Sequence, residues 1–388
     1  MGEMREKDDG EGMSGTREEL TGVPGLARLV VVDRTGSTND DLRSALTGVD
    51  GRLDLRAAAA WPHISALWAR RQDAGRGRAG RRWITPPGSA LTVSFVLRPL
   101  VPAAALAWLP LLAGLAARDV VDAILISARA PWRARTKWPN DVVLVPNERA
   151  GEGIAAGAST GAGTGGGAGA GGGAGAAAVP VPAEIPGWGR ARKVAGVLAE
   201  LIPTAGGIGA RTSAGTTGTA DASGAVAAGA ADAPGAVGAA GAPGGGGAGG
   251  AVGADRGAAC AVVLGIGVNT GQSESELPVP WATSLRLAGA RVEPRALLEP
   301  LSARLDELVT AWEAGEGDPD AGDGALGAAL RRACTTLGRR VRVDAPGGVL
   351  RGTAVDIAPG LVLRGADGTM RTVDAGDVSH VRTDGAVD

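Results

Sequence analysis

The 388-residue sequence has few of the residues that build metal centres and disulfide frameworks. It holds two cysteines, Cys260 and Cys334, and two histidines, His63 and His380. Two cysteines are too few for a disulfide framework and match no zinc-ligand spacing. We therefore expect a protein of a reducing compartment, the cytoplasm, with no histidine- or cysteine-based metal site.

An excess of charge of one sign and a long apolar run are also missing. The 39 basic and 41 acidic residues give a net charge of −2, so the whole chain has no basic field that would collect nucleic acid. The most apolar run, 101–117, is interrupted by Pro102 and Pro110, and the first residues, MGEMREKDD, are charged. These features predict no DNA binding, no membrane span and no signal peptide.

Glycine, by contrast, is in excess, with 66 residues and no G-X-Y period. Much of the excess lies in two glycine- and alanine-rich segments, 151–187 and 203–258, which are predicted to be disordered inserts. The polar residues 1–28 are predicted to be a disordered lead. The remaining sequence predicts a catalytic domain over 29–335 that contains the inserts, and a small domain over 336–388.

Hydrophobic patterning along the chain predicts a mixed α and β fold. Ser37 or Thr38 is expected to cap a short helix that stops at Gly48. The predicted strands cover 29–33, 65–72, 89–99, 135–145, 191–202 and 259–270, and the predicted helices cover 102–125, 294–315 and 325–338. Short strands with glycine turns from 339 to 382 predict a small β-barrel.

A glycine- and arginine-rich segment, GRGRAG at 75–80, has the G-x-G-x-x-G pattern of dinucleotide sites. That site requires a helix directly afterwards, whereas RRWITPPG follows here, which argues against a Rossmann site. The segment fits a mobile loop that brings arginines and a closely approaching backbone to a ligand. An ordinary solvated turn is the alternative.

Lysine is scarce, with only Lys7, Lys137 and Lys193 among the 39 basic residues. Two of the three lie in the segments TKWPND at 136–141 and RKVAGVLAEL at 192–201. Taken alone, TKWPND is typical of an ordinary turn and RKVAGVLAEL of a core strand. The segment GIGVNTG at 265–271 is typical of the end of a glycine-rich strand. A chain that otherwise uses arginine favours a functional reason for these two lysines, because an ammonium is a compact point charge.

Five motifs in order resemble the biotin protein ligases, also called biotin–[acetyl-CoA-carboxylase] ligases: GSTN at 36–39, RQDAGRGRAGRRW at 71–83, TKWPND, RKVAGVLAEL, and LGIGVNT at 264–270. The resemblance covers about 29–382 apart from the inserts. It implies an α+β fold, with a class II synthetase-like mixed-sheet catalytic domain followed by an SH3-like β-barrel. Some members carry an N-terminal winged helix, for which 1–28 is too short.

The resemblance implies an ATP-dependent, two-step reaction. Biotin and ATP, with Mg²⁺ on the polyphosphate, would give biotinyl-5′-AMP and pyrophosphate. A lysine of a biotin carboxyl carrier domain, from an acyl-CoA or pyruvate carboxylase, would then take the biotin. A lipoate or octanoate ligase of the same fold and a non-catalytic biotin or adenylate sensor are the alternatives. The oligomeric state stays open, with a monomer favoured.

The resemblance also assigns roles position by position. The expected biotin-binding residues are Ser37, Thr38, Asn39, Gln72, Arg76, Gly77, Arg78 and Lys193. The expected nucleotide-binding residues are Arg76, Arg78, Trp83, Lys137, Asn140, Asp141 and Asn269. Lys193 and Arg78 are the expected catalytic residues, because positive charge must bring the carboxylate and the α-phosphate together. Asp141 is the candidate Mg²⁺ contact.

Overall fold

A computed structural model describes residues 13–84, 86–147, 182–204 and 260–380 of the chain. Most of the two predicted inserts lies outside these residues, as do the first part of the predicted lead and the last residues of the C-terminal domain. The predicted disorder of the segments that lie outside stays a prediction.

The catalytic part is built on an eight-stranded mixed sheet. Its strands are β1 (Met13–Leu20), β2 (Arg28–Thr35), β3 (Ser65–Ala69), β4 (Ala90–Leu97), β5 (Trp132–Lys137), β6 (Asp141–Pro146), β7 (Arg192–Pro203) and β8 (Cys260–Asn269). They lie in the order β1-β2-β3-β4-β8-β7-β6-β5. The β2–β3 pair is parallel and the other neighbours are antiparallel, so the predicted α+β class is confirmed.

Helices cover both faces of this sheet. They are α1 (Thr38–Leu46), α2 (Leu55–Ala59), α3 (Leu109–Ser127), α4 (Pro294–Ala314) and α5 (Ala325–Ala333). Because side chains alternate along a strand, Leu29 and Val31 of β2 join the core under α3 and α4, whereas Val30 joins the core with Leu42 of α1. None of the described helices is long and apolar enough to cross a bilayer.

The C-terminal domain is a five-stranded antiparallel β-structure of the SH3-like kind. Its strands are β9 (Arg340–Ala345), β10 (Gly348–Ala358), β11 (Gly360–Arg364), β12 (Met370–Val373) and β13 (Asp377–His380). It is joined to the catalytic part by an ion pair between Arg331 of α5 and Asp356, at 2.6 Å. The indole nitrogen of Trp138 also donates to the carbonyl of Pro359 at 3.4 Å. The predicted boundary at 335/336 stays a prediction.

Three segments differ from the sequence prediction. Residues 13–20 of the predicted disordered lead form β1, an edge strand held by backbone pairing with β2 rather than by an apolar pattern. The predicted strand 135–145 is the hairpin of β5 and β6, because Pro139 lies at a turn. Residues 185–189, which begin inside the predicted insert 151–187, form a turn that is closed by a bridge between Ile185 and Gly189.

Candidate active site

The sequence motifs meet at one cavity of about 310 Å³. It lies over β4, β7 and β8, beside the start of α1 and under the glycine- and arginine-rich loop. Every predicted site residue except Lys137 lines it: Ser37, Thr38, Asn39, Gln72, Arg76, Gly77, Arg78, Trp83, Asn140, Asp141, Lys193 and Asn269. The tertiary structure therefore brings together motifs that are far apart in the sequence.

The start of α1 supplies polar groups at the floor of the cavity. Ser37, one of the two predicted caps, is the N-cap residue, and its hydroxyl accepts a hydrogen bond from the backbone N–H of Asp40 at 3.4 Å. Capping at Ser37 makes Thr38 and Asn39 the first helical residues. Both side chains are buried against the sheet, with 4% of each residue exposed.

A chain of hydrogen bonds continues from these residues beneath the cavity. The backbone N–H of Thr38 donates to Oε1 of Gln72 at 2.8 Å, and its hydroxyl lies 2.6 Å from that of Ser94. Ser94 donates to Oδ1 of Asn39 at 2.6 Å, and Nδ2 of Asn39 donates to Oε2 of Glu200 at 2.8 Å. Sequence reasoning assigned no role to Ser94 or Glu200. The available signal was a serine in a strand that is otherwise almost entirely apolar.

Glycines in β7 and β8 make room for two of the site side chains. A Cβ at Gly265 would lie 2.3 Å from Oδ1 of Asn39, and a Cβ at Gly267 would lie 2.6 Å from the indole of Trp83. A Cβ at Gly196 would lie 3.4 Å from the same indole. The GIG sequence of β8 is therefore required for close packing on the sheet, rather than only for ending a strand.

The glycine- and arginine-rich loop is folded back on itself over the cavity. The backbone N–H of Gly77 donates to the carbonyl of Arg81 at 2.6 Å. Arg76 forms ion pairs with Asp40 and, at 3.1 Å, with Glu200. The loop is thereby tied to α1 and to β7 through a single guanidinium.

Arg78 and Arg81 tie the same loop to two other parts of the protein. Arg78 donates to Oδ1 of Asn140 at 3.4 Å, and burial lowers the pKa of its guanidinium. Asn140 is itself held by donation to the carbonyl of Val197 at 2.7 Å. Arg81 reaches Asp377 of the C-terminal domain at 2.9 Å. Both domains therefore hold the loop.

Lys193 lies at an irregularity of β7 that faces the cavity. The pairing of β6 with β7 shifts register between Val142 and Val143, which leaves an extra residue beside Lys193. The ammonium lies 2.5 Å from Oδ1 of Asp141 and 5.8 Å from the ring centre of Trp83. A positive charge with a carboxylate partner is thus placed where an anionic ligand could reach it.

Lys137 occupies a different position from the other predicted site residues. Its ammonium lies 3.7 Å above the ring of Trp188, and Trp188 stacks on Trp281 with 5.8 Å between ring centres. Both tryptophans line the cavity, so Lys137 lies behind its wall. Burial lowers the pKa of Lys137 to about 8. Its direct contact with a nucleotide stays a prediction, and sequence reasoning missed both tryptophans.

Asn269 ends β8 at the opposite side of the cavity. Its amide nitrogen donates to the carbonyl of Thr283 at 2.9 Å, and its amide oxygen accepts from Gln272 at the same distance. These bonds fix the segment that follows the strand. The charged side chains lining the cavity are Arg76, Arg78, Arg81, Arg82 and Lys193, against Asp141 and Glu276, so the cavity attracts anions.

Comparisons with known proteins agree with this architecture. A family model described as the Biotin/lipoate A/B protein ligase family matches residues 53–210, and one described as Biotin protein ligase C terminal domain matches 336–381. The chain is 28% identical over 373 residues to the biotin--[acetyl-CoA-carboxylase] ligase of Mycobacterium tuberculosis, which covers 94% of each chain. It is 38% identical over 118 residues to that of Paracoccus denitrificans, covering 30% of this chain and 42% of the relative.

The solved structure of biotin protein ligase from Aquifex aeolicus in complex with biotin and ATP has the same fold. It matches with a TM-score of 0.50 and 18% identity, over 92% of this chain and 99% of that one. The two family models cover the catalytic and C-terminal parts separately, and the M. tuberculosis relative extends along nearly the whole chain. The two family models and the M. tuberculosis relative therefore agree that the chain has the two-domain arrangement of the biotin protein ligases and is a ligase.

Proposed function

We propose that this ligase makes biotinyl-5′-AMP from biotin and ATP and transfers biotin to a lysine of a biotin carboxyl carrier domain. The observation that carries the proposal is the division of the cavity into two chemical parts. Uncharged hydrogen-bonding groups, Thr38 and Gln72, lie at its floor, and basic side chains, Arg78 and Lys193, lie towards Asp141. A ligand with a neutral polar ring and an anionic tail matches this division.

Biotin has these two ends. Its cyclic urea carries two N–H donors and one carbonyl acceptor, which hydroxyl and amide side chains can pair. Thr38, Gln72 and Asn39 are buried or half-buried and already ordered by their own hydrogen bonds. A preformed set of this kind favours binding, since little side-chain freedom is lost when the ligand enters.

The first step needs positive charge more than proton transfer. A carboxylate oxygen of biotin attacks the α-phosphorus, the bond to the bridging oxygen breaks, and pyrophosphate leaves with its electron pair. Two anions must approach each other, so fixed cations that face the developing charge lower the barrier. Lys193 and Arg78 line the cavity and are the cations we assign to the reacting anions, Lys193 chiefly to this step and Arg78 chiefly to holding the adenylate once it has formed.

Asp141 and Asn140 would hold Mg²⁺ together with the ATP phosphates. Mg²⁺ commonly uses one or two carboxylates with substrate phosphates, and Oδ1 of Asp141 lies at the cavity, 2.5 Å from the Lys193 ammonium. The ion would neutralise the polyphosphate charge when it is bound. Asp141 would then serve both the ion and the orientation of Lys193.

In the second step, the amine of the carrier lysine attacks the carbonyl of the mixed anhydride, and AMP leaves with the bonding electrons. Water would compete for the anhydride, so the intermediate must be covered. The loop at 75–83 is the proposed cover, because its Arg76 and Arg78 contact two different elements beside the cavity, Glu200 in β7 and Asn140 between β5 and β6. We assign carriers of acyl-CoA or pyruvate carboxylases as partners, in the cytoplasm, and favour a monomer.

The test is labelling of a purified carrier domain by the purified chain with Mg·ATP and either biotin or lipoate. We expect mass addition of one biotinyl group and release of pyrophosphate and AMP. Labelling by lipoate but not biotin would establish the lipoate ligase instead. Tight binding of biotin without pyrophosphate release would establish a sensor. A carrier whose target lysine is replaced by arginine is the matched control.

A further inference from the structure

We propose that Glu200 is a positioning residue that sets the direction of the hydrogen bonds beneath the cavity. The inference rests on the proposed function, because it takes biotin as the occupant of that floor. Glu200 lies in the second half of β7, and its two carboxylate oxygens contact different partners: Oε2 accepts from Asn39 and Oε1 from Arg76. Neither the motif comparison nor the sequence patterns assign it a role in binding.

The carboxylate fixes the orientation of the Asn39 amide. An ionised carboxylate only accepts hydrogen bonds, so the amide nitrogen of Asn39 must face Glu200. The carbonyl of Leu198, another acceptor, lies 3.4 Å from the same nitrogen. The amide oxygen therefore faces the opposite way, towards the hydroxyl of Ser94, and can only accept there.

The orientation of the Asn39 amide decides which way the hydroxyl protons of Ser94 and Thr38 point. The single proton of the Ser94 hydroxyl is committed to Oδ1 of Asn39 at 2.6 Å. The Thr38 hydroxyl, 2.6 Å from Ser94 and 3.0 Å from Oε1 of Gln72, therefore accepts no proton from Ser94 and directs its own proton to these two oxygens. Its remaining lone pairs are left as acceptors for an incoming N–H group.

Gln72 supplies a hydrogen-bond donor beside the acceptor that Thr38 offers. Its amide oxygen accepts the backbone N–H of Thr38 at 2.8 Å, which leaves the amide nitrogen as the group that can donate. Thr38 and Gln72, both at the cavity, thus present an acceptor beside a donor. A cyclic urea needs this pairing, with an N–H facing the acceptor and its carbonyl facing the donor. Without Glu200, the amide of Asn39 could turn over and the pattern would lose its direction.

Asp40 allows the two contacts of Glu200 to be separated. Its carboxylate pairs with Arg76, as that of Glu200 does, and with Arg43, and neither arginine belongs to the hydrogen-bonded floor. Replacing Asp40 therefore weakens the hold on the loop and leaves the floor intact. Replacing Glu200 removes both its contact with Arg76 of the loop and its contact with Asn39 of the floor.

The experiment compares the parent chain with Glu200→Ala, Glu200→Gln and Asp40→Ala. Biotin Kd is measured by calorimetry, KM for ATP by pyrophosphate release, and Tm without ligand. We expect Glu200→Ala to raise the biotin Kd roughly tenfold or more while KM for ATP changes little, since a hydrogen bond to a charged group is lost. Glu200→Gln keeps the shape but can donate as well as accept, so it no longer fixes the Asn39 amide and should also raise the biotin Kd by more than about threefold. Asp40→Ala should stay within about threefold of the parent.

Three results would overturn the inference: a parent-like biotin Kd in Glu200→Ala, a parent-like biotin Kd in Glu200→Gln, or an Asp40→Ala variant as weak as Glu200→Ala. If Glu200→Ala fails to fold, Ser94→Ala interrupts the same chain of bonds, and a parent-like Kd there overturns the inference as well. A parent chain that does not bind biotin would overturn the proposed function itself, and this inference with it.

Discussion

Replacing Gly265 by alanine should disrupt biotin binding through Asn39. Gly265 lies in β8, in register with Ser94 on one neighbouring strand and Leu198 on the other. Asn39 lies on the sheet directly over this row. The added Cβ would meet Oδ1 of Asn39 at 2.3 Å, whereas ordinary contacts of a Cβ begin at 3.4 Å. The amide must therefore move by about 1 Å or rotate.

The expected size follows from the bonds that such a movement breaks. Oδ1 of Asn39 accepts from Ser94 at 2.6 Å, and Nδ2 donates to Glu200 at 2.8 Å. Losing both, at about 0.5–1.5 kcal/mol for each net hydrogen bond, amounts to roughly 1–3 kcal/mol. This free energy corresponds to a rise of roughly 5- to 150-fold in the biotin Kd if it falls entirely on the bound state.

The assay is biotin titration by calorimetry, with a thermal melt of the same sample. Gly271→Ala is the matched control, because its Cβ would meet Ser89 at an ordinary 3.5 Å. Gly267→Ala is the comparison for the nucleotide. Its Cβ would meet Trp83 at 2.6 Å, so we expect it to raise KM for ATP more than the biotin Kd. A Gly265→Ala variant that binds biotin as the parent does would refute the reasoning about the glycine row.

Three further predictions concern charge. Lys193→Arg should lower kcat for pyrophosphate release on the order of 100-fold, because a planar guanidinium cannot take the place of an ammonium 2.5 Å from Asp141 without displacing a ligand. A kcat equal to that of the parent would show that Lys193 has only a structural role. Arg78→Gly should leave adenylate synthesis largely intact and speed adenylate escape, measured by the half-time of adenylate release and by labelling of bystander lysines. An adenylate that is released as slowly as from the parent would contradict the proposed covering role of the loop. Burial lowers the pKa of His380 from 6.5 to about 3, so the unfolded chain binds more protons between these values. The free energy of unfolding should therefore fall as pH drops through this window, by up to roughly 1.4 kcal/mol per pH unit, and His380→Asn should flatten this slope. If urea unfolding gives the parent and the variant the same dependence on acidic pH, the effect is excluded.

Local sequence patterns determined the features that depend on neighbouring residues. Ser37 caps α1 because a hydroxyl at that position can accept from the first turn. The apolar residues of α3 predicted a buried helix, which the structure places in the core. The five motifs also predicted which residues would meet, since all but Lys137 of the predicted site residues line one cavity.

Only the tertiary structure decided contacts between elements that are distant along the chain. Glu200 meets Asn39 because β7, β8 and β4 pair in one particular register, and a one-residue shift would turn Glu200 to the other face. Lys137 lies behind Trp188 because the turn at 185–189, which begins inside a segment whose composition predicted an insert, folds over the end of β5. Strand β1 carries no apolar signal, since an edge strand is held largely by backbone hydrogen bonds, which no side-chain pattern records.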